Sequence, residues 1–445
     1  MEFQGRLYQT SGMARRRYLP LRGTRVLSFE VAFSLPAGTR TLAELGAEVV
    51  RVAGPVRGGG PYIGVIDGVY LAKECIGINL KHKDGIAVAR ALVAEADVVC
   101  MNFTPRAMAG LGLTPPDLMA IKPELVVLQL SGYGTPGPWS DYPAFGPSTE
   151  AAGGLNAAMG NESDEPVRIG SGVFSDQLAG RFAALAVVAA LERRRASGEG
   201  SVIDLSMAEA ISTLLGGQVV RAAMEDRPPP RRGDRDETYA PQGLYPCAGI
   251  DEWVAITVKN DEVWATFVEA TGIEVLTADR FATSAGRQDC HDEIDAIVRG
   301  WTAGRDKDDV AQILQEAGVA AGPVRKEGDA FFDEHLQKNE AFQEIPHEQP
   351  VVGYGAHEYL RLPWTIEGRP RTLLSDYRWT GADNARVLKR WLKIPASEVR
   401  KLEQDGALLH EAVRPLDGRP PAPGIPVDQD FATRLSLPRN REATG

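Results

Sequence analysis

The stretch Pro166–Ala210, PVRIGSGVFSDQLAGRFAALAVVAALERRRASGEGSVIDLSMAEA, places an almost unbroken apolar run, Ala179 to Leu191, between a glycine-rich loop and a valine-containing strand. The run is too apolar for a helix with one wet face and too short for a membrane span, which predicts a buried helix. Ser175 and Asp176 stand at its start, where unpaired N–H groups and the positive end of the helix dipole favour an anion. A carboxylate kept ionised there can attack a thioester or another activated acyl carbon. By position alone Asp176 reads first as an N-cap, because aspartate is among the favoured caps; the nucleophile reading needs more than position.

On the amino side of this helix, strand and helix alternate, which marks a parallel sheet with helices on its faces. Arg25 to Phe29, Glu48 to Val52, Asp97 to Met101 and Leu125 to Leu130 are short runs rich in Val and Leu. Pro36 to Leu45 and Asp84 to Glu95 between them have helical composition and periodicity. The expected fold class is α/β: a Rossmann-like, parallel-sheet large domain over residues 24–224 and a second, smaller α/β domain. In such a sheet the ligand crevice lies beyond the carboxyl ends of the strands. That rule gathers the loops Ser28 to Phe33, Asn102 to Arg106 and Ser131 to Gly134 on one rim.

On the carboxyl side, EDRPPPRRGDRDE, Glu225 to Glu237, reads as an exposed connection, with a linker expected over residues 225–240. The small domain, 241–328, holds a strand at Trp253 to Val258. Its helices are expected at Glu262 to Thr271, ended by Gly272, and at Asp306 to Ala317, ended by Gly318. Residues 329–413 form a connection, charged and extended to about Gly368, with closing helices at Ala385 to Leu392 and Ser397 to Glu403. Residues 1–23 are expected to be an N-terminal extension without a secretory h-region, and the Pro-rich residues 414–445 a flexible tail.

A net charge of −11 argues against nucleic acid as a general partner. Cys75, Cys100, Cys247 and Cys290 are widely spaced and form neither a CxxC pair nor a cluster of metal spacing, so reduced thiols in a cytoplasmic protein and no metal are expected. No run of about eighteen apolar residues occurs, and no membrane partner is expected.

Around Asp176 the chain carries P-x-R-x-G, D-x-x-x-G, an Ala-rich helix, A-L-x-x-R, G-x-G and V-I-D-L-S-M-x-E-A. Ahead of these stand TRVLSFEVAFSLPAGTRTLAELGAEVVRV, ADVVCMNFTPRAMAGLGL and PELVVLQLSGYGTPGPW. In this order the motifs resemble the class III CoA-transferases, the formyl-CoA transferase and carnitine CoA-transferase family. APQGLYPCAGIDEWVAITVKNDEVWATFVEATG and GVAAGPV are similar to that family's middle domain, so the resemblance covers nearly all of residues 24 to 409.

The resemblance implies that Asp176 carries first the acyl group and then CoA, in an enzyme moving CoA from an acyl-CoA thioester to a free carboxylic acid. It implies no tightly bound cofactor, coenzyme A and acyl-CoA as substrates, and a homodimer of interlocked rings with the C-terminal segment returning to the large domain. The positions it assigns to CoA are Val31, Ala32, Leu71, Ala72, Lys73, Asn102 and Phe103, with Lys73 or Arg106 meeting phosphates. Gly132, Gly134, Gly170 and Gly172 are oxyanion candidates, although loop glycines also serve turn geometry. Ala32 to Leu35, Pro143 to Ser148 and Tyr239 to Tyr245 would shape the acyl pocket. Phe33, Tyr142, Phe145 and Tyr239 would form its wall, suited to an acyl group larger than formyl or oxalyl.

The chain departs from formyl-CoA transferase in three places. Ala53-Gly54-Pro55 replaces its basic residue after the second strand, Gly110 stands for an arginine, and TYAPQGLY replaces its glycine-rich loop. Two other readings stay open. One is an α-methylacyl-CoA racemase, whose relatives add a His in a G-H-D motif where this chain has AFGPSTEAAGG, residues 144 to 154. The other is a non-catalytic CoA-binding relative.

Overall fold

The structure, a computed structural model, describes residues 19–54, 68–170, 174–351, 354–365 and 374–410. Most of the expected N-terminal extension, all of the expected tail, and Gly172 lie outside the described residues. The chain divides into two units. Of the described residues, one takes those up to Leu155, those from Arg168 to Val220 and those from His335 on; the other takes Asn156–Val167 and Arg221–Glu334.

The first unit begins with β1 Arg25–Phe29, α1 Ser34–Glu44, β2 Glu48–Ala53, β3 Glu74–Ile78, α2 Lys83–Glu95, β4 Val98–Met101 and α3 Pro105–Leu111. β5 Val126–Ser131, α4 Gly146–Ala152, α5 Phe174–Ser197, β6 Ser201–Ser206 and α6 Met207–Leu214 follow. In the second unit, β7 Gln242–Pro246, β8 Trp253–Thr257 and β9 Ala320–Pro323 form an antiparallel sheet. It is packed with α7 Asp261–Thr271, α8 His291–Thr302 and α9 Lys307–Glu316 around Trp264, Phe267, Ile294, Val298 and Leu314. The chain then adds β10 Phe342–Val351, β11 Tyr354–Leu360, α10 Asn384–Leu392, α11 Ala396–Gln404 and β12 Leu408–Leu409.

The large sheet has seven strands in the order β12-β3-β2-β1-β4-β5-β6. β1 to β6 run parallel, and β12 pairs antiparallel with β3 at the edge. Parallel strands covered on both faces read as nearly continuous apolar runs, which is why VVCM and VVLQL are strands without alternation. Leu27 and Phe29 face a core shared with Leu92 of α2 and Leu388 and Trp391 of α10. Val26, Cys100 and Leu128 face the opposite core, built with Leu35 and Leu42 of α1 and Ala179, Ala183 and Val187 of α5. The strand order reverses between β1 and β4, so the crevice required by a doubly wound sheet opens at the ends of those two strands.

α5 is 24 residues long and, by length and composition, apolar enough to cross a membrane, a property that counting unbroken apolar residues did not reveal. Expected to be buried without a wet face, it buries one face, Ala179, Ala183 and Val187, in the core and leaves Arg181, Leu185 and Ala189 exposed on the other. Gly38 of α1 and Gly180 of α5 meet where the two helices cross: a methyl group at Gly38 would lie 2.6 Å from the Gly180 carbonyl oxygen, and one at Gly180 2.6 Å from that of Ser34. This approach brings the amino ends of both helices together.

The segment after Asp329, expected to be extended, holds the short helix Glu334–Lys338 and then pairs its extended chain into the antiparallel hairpin β10–β11. Its first strand, FQEIPHEQPV, carries two prolines and little apolar alternation, which hides it from pattern reading.

Candidate active site

Asp176 lies in the first turn of α5, two residues inside the helix rather than at the N-cap. It is 8% exposed, and the backbone N–H groups of Asp176 itself and of Ser34, the first residue of α1, lie beside its carboxylate and favour its charged form. Two helix amino ends therefore face one carboxylate, each contributing an unsatisfied donor and a partial positive charge. Burial pushes the Asp176 carboxyl up to about 6, with the nearby Glu150 charge adding to the rise and the two N–H donors opposing it.

Glu150, fully buried in α4, is a functional candidate that sequence reading missed. Its Oε1 accepts the Ser175 N–H at 3.3 Å, so it caps α5 from another helix. Its Oε2 has no hydrogen-bond partner and lies 3.9 Å from Arg168 Nε. Thr149 Oγ1 donates to Ser175 Oγ (3.1 Å), which donates to the Gly146 carbonyl (3.0 Å), locking α4 against the start of α5. A glutamate inside the small-residue run GPSTEAAGG is the one linear signal that marked it.

Asp176 holds its proton more tightly folded than unfolded, so stability falls as pH rises from about 4 to about 6, by about 3 kcal/mol in all, and stays at that lower level above. Asp176→Asn is expected to melt higher than the wild type at neutral pH, with the difference vanishing below about pH 4, where the carboxyl is protonated in both states. Melting curves across that range check this; a variant less stable at neutral pH contradicts it.

The expected CoA positions separate into two groups. Val31 and Ala32, exposed beyond β1, face the switch point together with Asn102 beyond β4. Asn102 clamps the first loop: its Oδ1 accepts the Val31 N–H at 3.0 Å and its Nδ2 donates to the Val31 carbonyl at 2.8 Å. Ala32 is held at φ 58° and Ala72 at φ 62°, conformations that L residues rarely adopt and that cluster at functional sites. Phe103 is half-buried against the core, and Arg106 is exposed on α3.

Leu71 and Lys73, by contrast, present no side chain to a ligand. Leu71 is fully buried, and Lys73, expected to meet a phosphate, is 3% exposed with its ammonium 2.7 Å from Glu30 Oε1. The ammonium also donates to the Pro36 carbonyl (2.8 Å) and Thr39 Oγ1 (2.7 Å). A lysine ahead of a strand looks like a surface residue; its partner, 43 positions earlier, is visible only in three dimensions.

Of the glycines, Gly134 donates its N–H to Ser131 Oγ at 2.9 Å and has φ 76°, so it makes the turn and has no donor left for an oxyanion. Gly132 lets the loop pass Ala144, which a methyl group there would meet at 2.2 Å. Gly170 takes φ 52°. Tyr142 and Phe145 are exposed and Phe33 is half-buried, all in the first unit. Tyr239 to Tyr245 belong to the second unit, where Gln242–Pro246 form β7.

The model of CoA-transferase family III matches residues 21–382, and the chain belongs to that family of transferases. Succinyl-CoA–D-citramalate CoA-transferase of Chloroflexus aurantiacus is 32% identical over 328 residues, 71% of this chain and 81% of the relative. Succinate–glutarate CoA-transferase of Agrobacterium fabrum is 29% identical over 335 residues, 72% and 83%. A probable CoA-transferase of Mycobacterium tuberculosis is 29% identical over 418 residues, 88% of this chain but 51% of the relative, so the chain spans about half of that protein. Among solved structures, a CAIB/BAIF family protein from Brucella suis has a TM-score of 0.74 at 26% identity, covering 84% of this chain and 99% of the other.

Proposed function

We propose that this chain moves CoA from an acyl-CoA thioester to a free carboxylic acid, with Asp176 as the nucleophile. The observation that carries the reading is the Asp176 carboxylate held at two helix amino ends beside the crevice of the sheet. A carboxylate whose pKa is raised to about 6 is more basic than a free one and still ionised at neutral pH.

An Asp176 oxygen bonds to the acyl carbon, the C–S bond breaks, and CoA leaves as thiolate. The thiolate then attacks the aspartyl carbonyl of the mixed anhydride, releasing the donor acid and leaving an aspartyl-CoA thioester. The acceptor carboxylate attacks that thioester, forming a second anhydride and freeing the thiolate again. Attack of the thiolate on the acceptor's acyl carbon gives the new acyl-CoA and restores Asp176. One thioester replaces another, so the protein's work is to hold the groups still and place dipoles toward developing charge. Val31, Ala32 and Asn102 would hold CoA at the switch point, with Arg106 at its phosphates.

The names of the relatives favour succinyl-CoA as donor and a dicarboxylate as acceptor, in keeping with a pocket for acyl groups larger than oxalyl. A racemase of this fold would need a histidine ahead of Asp176, and residues 144–154 carry none. The four free thiols fit a cytoplasmic enzyme, and the family resemblance implies that it works as a homodimer.

Succinyl-CoA mixed with a panel of free acids should yield new acyl-CoA, with dicarboxylates ahead of oxalate, read by chromatography. The rate should fall as pH drops through about 6, because only the ionised Asp176 attacks. No new thioester with any acid contradicts the reading; oxalate outpacing every bulkier acid contradicts the substrate class.

A further inference from the structure

We propose that Lys73 is a positioning residue for the transfer reaction: with Glu30 and Thr39 it fixes the turn from β1 to α1 and thereby holds the Ser34 N–H beside Asp176. The inference rests on the reading of Asp176 as nucleophile. Glu30, 2% exposed, is the residue that follows β1. Its Oε2 accepts Ser28 Oγ (2.7 Å) and Thr39 Oγ1 (2.5 Å), and its Oε1 takes the Lys73 ammonium. The same ammonium donates to the Pro36 carbonyl in the first turn of α1, so both ends of the turn 30–36 are tied to one cation. Tyr70, three residues before Lys73, donates its hydroxyl to the Ala32 carbonyl at 3.1 Å, in the middle of that turn. The segment 68–73 thus grips the turn that presents Ser34, and the Gly38–Gly180 crossing sets the same turn against α5.

A fully buried ion pair is an expensive way to pack two elements, because both charges leave water. What it supplies is direction: three donors of one ammonium meet three fixed oxygens, which specifies the turn more narrowly than apolar contact does. Burial lowers the Lys73 pKa to about 8 against the pull of Glu30. The other charged or titratable groups near the pair are Arg51 of β2, Arg40 of α1, Tyr70, Cys75 of β3 and Cys100 of β4. Asp176 itself faces Glu150 of α4, with Arg168 beside it, while Arg181 on its own helix bonds α1 through the Ala37 carbonyl and Thr41. None of these last groups touches Lys73, so a change there reaches Asp176 through the turn.

The test compares wild type, Lys73→Met and the charge-free double variant Glu30→Gln/Lys73→Met. Melting temperature, kcat, KM for succinyl-CoA and the pH profile of kcat are read for each. The double variant removes both charges of the Lys73–Glu30 pair and keeps the volumes, so it carries the test if Lys73→Met fails to fold. Folded variants are expected to lose kcat about ten- to hundred-fold with KM changed less than about two-fold. Their acid limb should move up by about one pH unit as Asp176 loses a donor. A folded double variant with wild-type kcat and acid limb overturns the proposal, and so does a loss confined to KM. A wild type that forms no aspartyl adduct sinks the nucleophile reading itself; an adduct forming equally fast in all three proteins sinks the positioning role alone.

Discussion

Asp176→Ala is expected to lower CoA exchange by at least about a thousand-fold, because it removes the atom that carries both covalent intermediates. No neighbouring group can take over. Glu150 is fully buried and turned to the Ser175 N–H, so its carboxylate caps a helix and has no path to an acyl carbon without unfolding α4. Folding should survive the change, since the raised pKa shows that the fold bears the ionised carboxylate at a cost. CoA binding should survive as well if Val31, Ala32 and Asn102 hold it, because the Asn102 clamp on Val31 does not involve Asp176. The measurement is exchange from succinyl-CoA alongside CoA-dependent thermal protection; activity within about ten-fold of wild type contradicts the assignment.

Gly180→Leu is expected to be strongly damaging although it touches no charged residue. A Cβ at Gly180 meets the Ser34 oxygen at 2.6 Å, the Ala37 Cβ at 2.9 Å and the Gly38 nitrogen at 2.9 Å. Two of those three are backbone atoms of α1, so relief requires the helices to part. Overpacking of this kind costs about 1–3 kcal/mol and sometimes more. That outweighs the roughly 1 kcal/mol gained when a helix-interior glycine is replaced. Separation of the helices also lifts the Ser34 N–H from Asp176, so activity should fall further than the loss of folded protein explains. Leu185→Ala, on an exposed position of the same helix (64%), is the control and should stay within about 0.5 kcal/mol of wild type. A Gly180→Leu protein that melts with the wild type contradicts the close crossing.

The parts of this fold that could be read from the chain are those whose cause is local. The Val-rich runs that became β1, β2, β4 and β5 announce themselves because a strand buried on both faces leaves little room for polar residues; the helix behind Asp176 announces itself by its apolar run, although Arg181, Leu185 and Ala189 leave one face exposed. The loops at Val31 and Asn102 could be placed together because a doubly wound sheet puts its crevice at the strand ends. Distant pairings remained hidden. Lys73 reads as a surface cation until Glu30 is found beneath it, and Glu150 acts through one oxygen on a backbone N–H of another helix. Ser34 contributes an N–H, and any residue but proline has one. The amphipathic helix α8 was missed although Ile294 and Val298 are spaced one turn apart, because charged residues surround them.

The central claim is that an aspartate becomes covalently charged with CoA. Intact-protein mass spectrometry after mixing with succinyl-CoA, followed by hydroxylamine and peptide mapping, addresses it directly. The account predicts a hydroxylamine-sensitive CoA adduct on the peptide containing Asp176, absent from Asp176→Ala. No adduct under conditions where CoA still raises the melting temperature, or an adduct on another residue, would contradict it.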